Sequence, residues 1–253
     1  MKIKFVLVAF LFLMLNFTLV MAIPNGYQIT FQSKESKSKR VYLGNFYGKF
    51  NQYVDSVILD SNGNGLFKAA TKLSPGIYFL QDHRKIQLLD FIVANDDQQI
   101  TIEEINYETA SYKVQGGNEN LLYSAYNEFV RKAVTEINQF RAELLSAKSK
   151  ADSLKIQSKI QVKTQSIDQY RINIIKEQPK SLLAQFFIAM ERPKLPNPLP
   201  KTLSTQPAQL AYFKIHYWDG IDFTNAAFIK TPFFEKKWCF NKGCIRKIDT
   251  IPI

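Results

Sequence analysis

Apolar and polar positions alternate along residues 27–115 and then change period. Tyr27, Ile29 and Phe31 alternate with polar neighbours, the period-2 pattern of a half-buried strand. Val41, Leu43 and Phe46 continue it after a polar stretch, and Val54, Val57, Ile58 and Leu59 lead into Asp60-Ser61-Asn62-Gly63-Asn64-Gly65. Asn and Gly tolerate positive φ, so that stretch predicts a turn. Leu66-Phe67, Ile77-Tyr78-Phe79-Leu80, the apolar run from Ile86 to Ala94, Ile100 with Ile102, and Tyr112 with Val114 supply further strands. Seven or eight short strands at regular spacing predict an antiparallel β-sandwich or a related pair of sheets.

From Asn118 the apolar residues step by three or four: Leu122, Tyr126, Phe129, Ala133, Ile137, Phe140 and Leu144. That spacing puts them on one face of a helix, with Asn118 or Asn120 as its expected cap. Leu154, Ile160, Ile167, Tyr170 and Ile174 predict a second helix ending near Pro179, with a turn over residues 146–150. Two such helices make an αα-hairpin. A short apolar helix capped by Ser181 is expected to Met190, followed by a stiff extended connector where prolines crowd Arg192 to Pro200. Further helices are expected over 207–218 and 231–238. The fold class is therefore α+β, with a β-sandwich-like domain over 23–116 and a helical domain over 117–253.

The first 22 residues stand apart. Lys2 and Lys4 precede a nearly unbroken apolar run from Phe5 to Val20, and Ala22 offers a cleavage site. This is the layout of a signal peptide, whose removal sends the chain to the periplasm or cell envelope. The alternative is an uncleaved anchor, since the run approaches the length that spans a bilayer. No later stretch is long and apolar enough to span, so no stable transmembrane segment is expected after cleavage.

The formal charge of +11 falls to +9 once Lys2 and Lys4 leave. Its densest patch, Lys34-Glu35-Ser36-Lys37-Ser38-Lys39-Arg40, reads as a solvated hairpin loop. Basic residues are spread rather than striped, which argues against a nucleic-acid partner. Attraction to anionic envelope surfaces or acidic glycans is the alternative use of the charge.

Candidate chemistry is sparse. Two cysteines, Cys239 and Cys244, cannot frame a disulfide scaffold. Trp238-Cys239 opens like a Trp-Cys-x-x-Cys redox site, but four residues separate the cysteines where that site has two. A disulfide, a redox pair and two unpaired thiols all remain open for them. His83 sits at an expected hairpin tip, and His216 lies in an aromatic stretch that predicts a packed or hydrogen-bonded core residue. The two are far apart, and no ligand spacing suggests a metal. The Asp60 loop lacks the Glu and flanking helices of a calcium-binding EF-hand and reads as a plain turn. Asp96-Asp97 and Glu103-Glu104 are adjacent pairs, so on strands their side chains point to opposite faces. No catalytic, cofactor-binding or metal-binding residue is assigned, and no cofactor is expected.

Two stretches resemble a known family. Val54-Asp55-Ser56-Val57, Asn62-Gly63, Phe67 and Leu73-Ser74-Pro75-Gly76-Ile77-Tyr78 resemble a β-rich N-terminal domain of unknown function in secreted Bacteroidetes proteins. His216-Tyr217-Trp218-Asp219-Gly220-Ile221-Asp222-Phe223 and Thr231-Pro232-Phe233-Phe234 resemble the helical domain that follows it. In that family a thioredoxin-like domain with a Trp-Cys-x-x-Cys site comes next, making an envelope thiol-disulfide oxidoreductase. The resemblance therefore implies compartment and architecture, a helical domain truncated at its C-terminus, and no transferable catalytic residue.

The leading expectation is a secreted, non-catalytic accessory or binding protein with an unknown envelope protein or ligand as partner. The alternatives are a redox protein using Cys239 and Cys244, and a fragment without function. The aromatic residues of 212–234 are open to two readings, core or interface.

Overall fold

The computed structural model describes residues 26–234, apart from Lys49, Asp96 and Asp97. The segment 1–22, Trp238, Cys239, Cys244 and the Asp96-Asp97 pair lie outside the described residues, as does the helix expected over 231–238 beyond Phe234.

Eight strands form two four-stranded sheets. They are β1 (Tyr27–Gln32), β2 (Arg40–Tyr47), β3 (Phe50–Ile58), β4 (Asn64–Ala69), β5 (Gly76–Gln81), β6 (Gln87–Val93), β7 (Gln99–Asn106) and β8 (Ser111–Gln115). One sheet runs β4-β1-β7-β8 and the other β3-β2-β5-β6. Every neighbouring pair is antiparallel except β1 and β7, which are parallel. Five strands intervene between those two, so no hairpin dictates their relative direction. The α+β class and the sandwich expectation hold, with this one parallel pair as the departure.

One connection differs from the expectation. The basic loop 33–39 is not a hairpin loop, because β1 and β2 belong to opposite sheets. The Asn62-Gly63 stretch is the turn expected of it, and it carries the chain from β3 in one sheet to β4 in the other. Both crossings are pinned together: Ser33 N–H donates to the Gly63 carbonyl at 2.9 Å. The buried Ser33 hydroxyl donates to Glu104 at 2.7 Å and accepts from the Ser36 N–H at 3.1 Å. Gly63 has φ 87° and lies against the Ser33 carbonyl, where a Cβ has no room.

Ile29, Phe31, Val41, Leu43, Phe67, Tyr78, Leu80, Phe91, Val93, Ile100 and Ile102 meet between the sheets as the first core. The other face of β5 and β6 carries Ile77 and Ile92 into a second core, under the helices. β5 is thus buried along its whole length, which explains why its apolar residues are continuous rather than alternating.

The helices are α1 (Asn118–Leu145), α2 (Lys150–Glu177), α3 (Leu182–Met190) and α4 (Gln206–His216). Tyr126, Ala133 and Ile137 of α1 meet Ile167 and Ile174 of α2 and Leu183, Phe186 and Phe187 of α3. The Tyr126 and Phe187 rings lie 4.7 Å apart, as do Phe129 and Tyr170. Arg171 Nε donates to the Tyr126 hydroxyl at 2.7 Å, tying the hairpin across its waist.

The cap of α1 is not what the sequence predicts. Its N-cap residue is Gly117, with no side-chain cap bond. Asn120 instead turns to the edge strand β6: its Oδ1 accepts from Ile92 N–H at 2.8 Å and its Nδ2 donates to the Ile92 carbonyl at 2.9 Å. Glu119 reaches the start of α3, accepting from Leu182 and Leu183 N–H at 2.8 and 3.1 Å. Ser181 caps the same helix as expected, accepting from Ala184 N–H at 3.0 Å. One turn of α1 therefore joins the sheet edge to a helix N-terminus, satisfying backbone groups that burial would otherwise strand.

Candidate functional site

The helices cover only part of the outer face of the β3-β2-β5-β6 sheet. On the β2–β3 hairpin, Tyr47, Phe50, Tyr53, Val54 and Ile58 are all exposed, Phe50 by 63% and Tyr53 by 47%. β3 is an outermost strand of its sheet. The pairing with β2 shifts between Leu43 and Gly44, which leaves Val54 as an extra residue in β3. Such a bulge sharpens the local twist and re-aims the flanking side chains.

Beside the hairpin the tyrosines form an ordered platform. Tyr42 and Tyr53 rings are 5.6 Å apart, and the Phe79 ring stands edge-on to Tyr53 at 6.4 Å. Gly44 makes room for Phe79, whose ring a Cβ there would meet at 2.5 Å. The Tyr53 hydroxyl donates to Gln81 Oε1 at 2.8 Å. Lys85 Nζ lies 2.9 Å from the Tyr42 ring centroid and 3.9 Å from that of Tyr53, a cation–π arrangement.

Lys85 is delivered there by the β5–β6 turn, where it takes φ 66°. Asp82 organises that turn by accepting from the N–H groups of Arg84 and Ile86 at 2.8 and 2.9 Å and from Arg84 Nε at 2.9 Å. Burial pushes the Asp82 carboxyl up, but these bonds outweigh it and hold the group below the usual carboxylate range. The platform offers apolar area, two phenol hydroxyls, that of Tyr53 bonded to Gln81, and a seated cation.

The other sequence candidates fall into structural roles. His83 is exposed at the β5–β6 tip, as expected. His216 is not a core residue: it lies at the end of α4, stacked 4.2 Å from Tyr212 with Nδ1 2.6 Å from an Asp219 oxygen. Its helix buries no residue, so the aromatic stretch is a rim there rather than a core. Further on, Tyr217 and Phe228 are buried while Phe223 is exposed, so residues 212–234 divide between the two readings.

Asp60 spends its carboxylate on its own turn, accepting from Asn62 and Asn64 N–H at 2.8 Å each. The Asn64 N–H leads the contacts that hold Asp60 below the usual carboxylate range. Glu103 is exposed and Glu104 is turned toward Ser33, so the pair is split as the strand geometry requires. Among the described residues no cluster of three His, Cys, Asp or Glu could hold a metal. No helix among them is long and apolar enough to cross a membrane.

What sequence reasoning missed is the Tyr42–Tyr53–Lys85 platform. Its members lie in two strands and a turn, and only the pairing of β2 with β3 and β5 assembles them. The signal available was Tyr42 and Tyr53 on a hairpin whose apolar residues exceed what one buried face needs.

The architecture defines an α+β protein: a two-sheet sandwich with a helical layer on one sheet. The family described as Domain of unknown function (DUF4369) matches residues 27–123, which takes in all eight strands and the start of α1. No curated protein and no solved structure matches the chain.

Proposed function

We propose that the protein is an exported, non-catalytic binding protein of the cell envelope that engages a partner polypeptide through the β2–β3 hairpin and its tyrosine platform. The observation that carries this reading is the concentration of exposed apolar side chains on that one hairpin. Exposed apolar side chains gathered on one element mark interaction sites, and tyrosine is a side chain such sites favour. Export is supported by the signal-like layout of residues 1–22. The DUF4369 match over residues 27–123 supports the reading of the β part as a domain of its own, and kinship to envelope thiol-disulfide oxidoreductases rests on the sequence resemblance alone.

The test is selection of binding peptides from a displayed library against the processed protein, with amide shifts mapping where they land. The reading expects the shifts on residues 42–58 and 81–85, and loss of binding in Tyr53→Ser. Peptides landing elsewhere would refute the site. Catalytic reduction of insulin disulfides by the purified protein would refute the non-catalytic class and favour the redox reading of Cys239 and Cys244.

A further inference from the structure

The far end of the α1–α2 hairpin is built differently from the end that packs on the sheet. The last buried side chain of α1 is Ile137 and the first of α2 is Ile167; between them, residues 138–166 contain no buried side chain. A helix rises about 1.5 Å per residue, so the eight residues of α1 beyond Ile137 carry the hairpin about 12 Å past its packed region.

This projecting tip is apolar at the end and basic around it. Leu145 is 92% exposed and Leu154 57% exposed, on either side of the turn that Ser149 caps. Arg141, Lys148, Lys150 and Lys155 are all exposed in the same stretch. The two acids among them are already engaged. Glu143 lies 4.0 Å from Lys159, and Asp152 accepts the Ser149 hydroxyl at 2.6 Å while its own N–H bonds Ser149 Oγ. With Lys159 set against Glu143, the four other cations face only the Asp152 carboxylate, so the net charge of the tip is positive.

We propose that this tip docks on an anionic lipid surface, with Leu145 and Leu154 entering the acyl boundary and Arg141, Lys148, Lys150 and Lys155 meeting headgroup phosphates. Folding leaves Leu145 almost wholly in water and more than half of Leu154 with it. An interface layer accepts them without needing a shaped receptor, while the long basic side chains keep their charges at headgroup level. Charge complementarity selects an anionic bilayer over a neutral one. The docking is peripheral: two leucines insert, not a spanning segment.

The probe is a set of vesicles of phosphatidylcholine alone or mixed with phosphatidylglycerol. Leu145→Trp in the processed full protein reports the tip directly, read as the difference from the unsubstituted chain. A blue-shifted emission on the mixed vesicles only, quenched by brominated acyl chains and reversed by salt, is the expected result. Lys148→Glu with Lys150→Glu, and separately Leu145→Ser with Leu154→Ser, each lower partitioning about tenfold. All four positions are exposed, so circular dichroism and Tm stay unchanged. Equal binding to neutral vesicles, no blue shift, or cosedimentation that tip substitutions leave intact overturns the proposal. Tip-dependent binding to an acidic protein with none to vesicles overturns it as well.

Discussion

β3 and β5 belong to one sheet, yet one is exposed along most of its length and the other is buried throughout. The difference lies in what covers them. β5 has the opposite sheet on one face and the helical layer on the other, so Tyr78 and Leu80 serve the first core while Ile77 serves the second. β3 sits at the sheet edge, beyond the reach of the helices, with a bulge where its pairing slips. A strand buried on both faces carries the stability of two layers. A strand at the rim is released from that duty and is left with surface to present.

The largest test of this contrast sets Phe91 against Ile58. Phe91 is fully buried between the sheets beside Tyr78, with ring centroids 6.4 Å apart. Phe91→Ala should cost about 3–5 kcal/mol, from lost transfer energy plus the cavity left behind. Ile58 is exposed on β3, and Ile58→Ser should stay within about 0.5 kcal/mol. Urea denaturation of both variants measures the gap; similar costs would mean that β3 is covered in solution.

A smaller effect is expected where the two layers are joined. Asn120→Ala leaves Ile92 N–H and C=O without their side-chain partners at a buried edge. The expected loss is about 1–3 kcal/mol. Hydrogen exchange should locate the weakening on β6 and the start of α1. Loss spread evenly over both sheets would show that Asn120 is not a local staple.

Much of this was legible in the sequence, and the reasons are local. Alternation at Tyr27-Ile29-Phe31 and at Ile100-Ile102 marks strands with one wet face, and the three-four spacing from Leu122 to Leu144 marks α1. The unbroken run Ile77 to Leu80 carries the signature of a strand covered on both faces. What stayed hidden depends on distant partners. Nothing local separates a turn that closes a hairpin from one that crosses between sheets, so the 33–39 loop was misassigned, while the turn at 60–63 was legible but not the sheets it joins. Asn120 looked like a cap because its neighbours are helical, but its partner is Ile92, in a different element. Leu145 lies one residue off the face that the three-four spacing assigns to Leu144, but only the packing shows that this end of the hairpin extends past the last buried side chain.

The subtlest test concerns Asp90, on the helix-facing side of β6. Burial raises its carboxyl above the usual range, and a hydrogen bond from the Tyr123 hydroxyl of α1 opposes that only in part. The charged form is therefore disfavoured in the folded protein relative to the unfolded chain. Stability from this group is fully present below the unfolded carboxyl range and is lost as pH rises through the elevated folded value. Asp90→Asn keeps an acceptor for Tyr123 and removes the charge. The variant should match the parent at low pH and become more stable than it as pH rises to neutrality, with a gain smaller than the loss at Asn120. Tm measured across that range decides the matter. A variant less stable than the parent at neutral pH would mean that the ionised carboxylate contributes to the joint between sheet and helix. The contrast between β3 and β5 would then rest on a charged contact as well as on apolar cover.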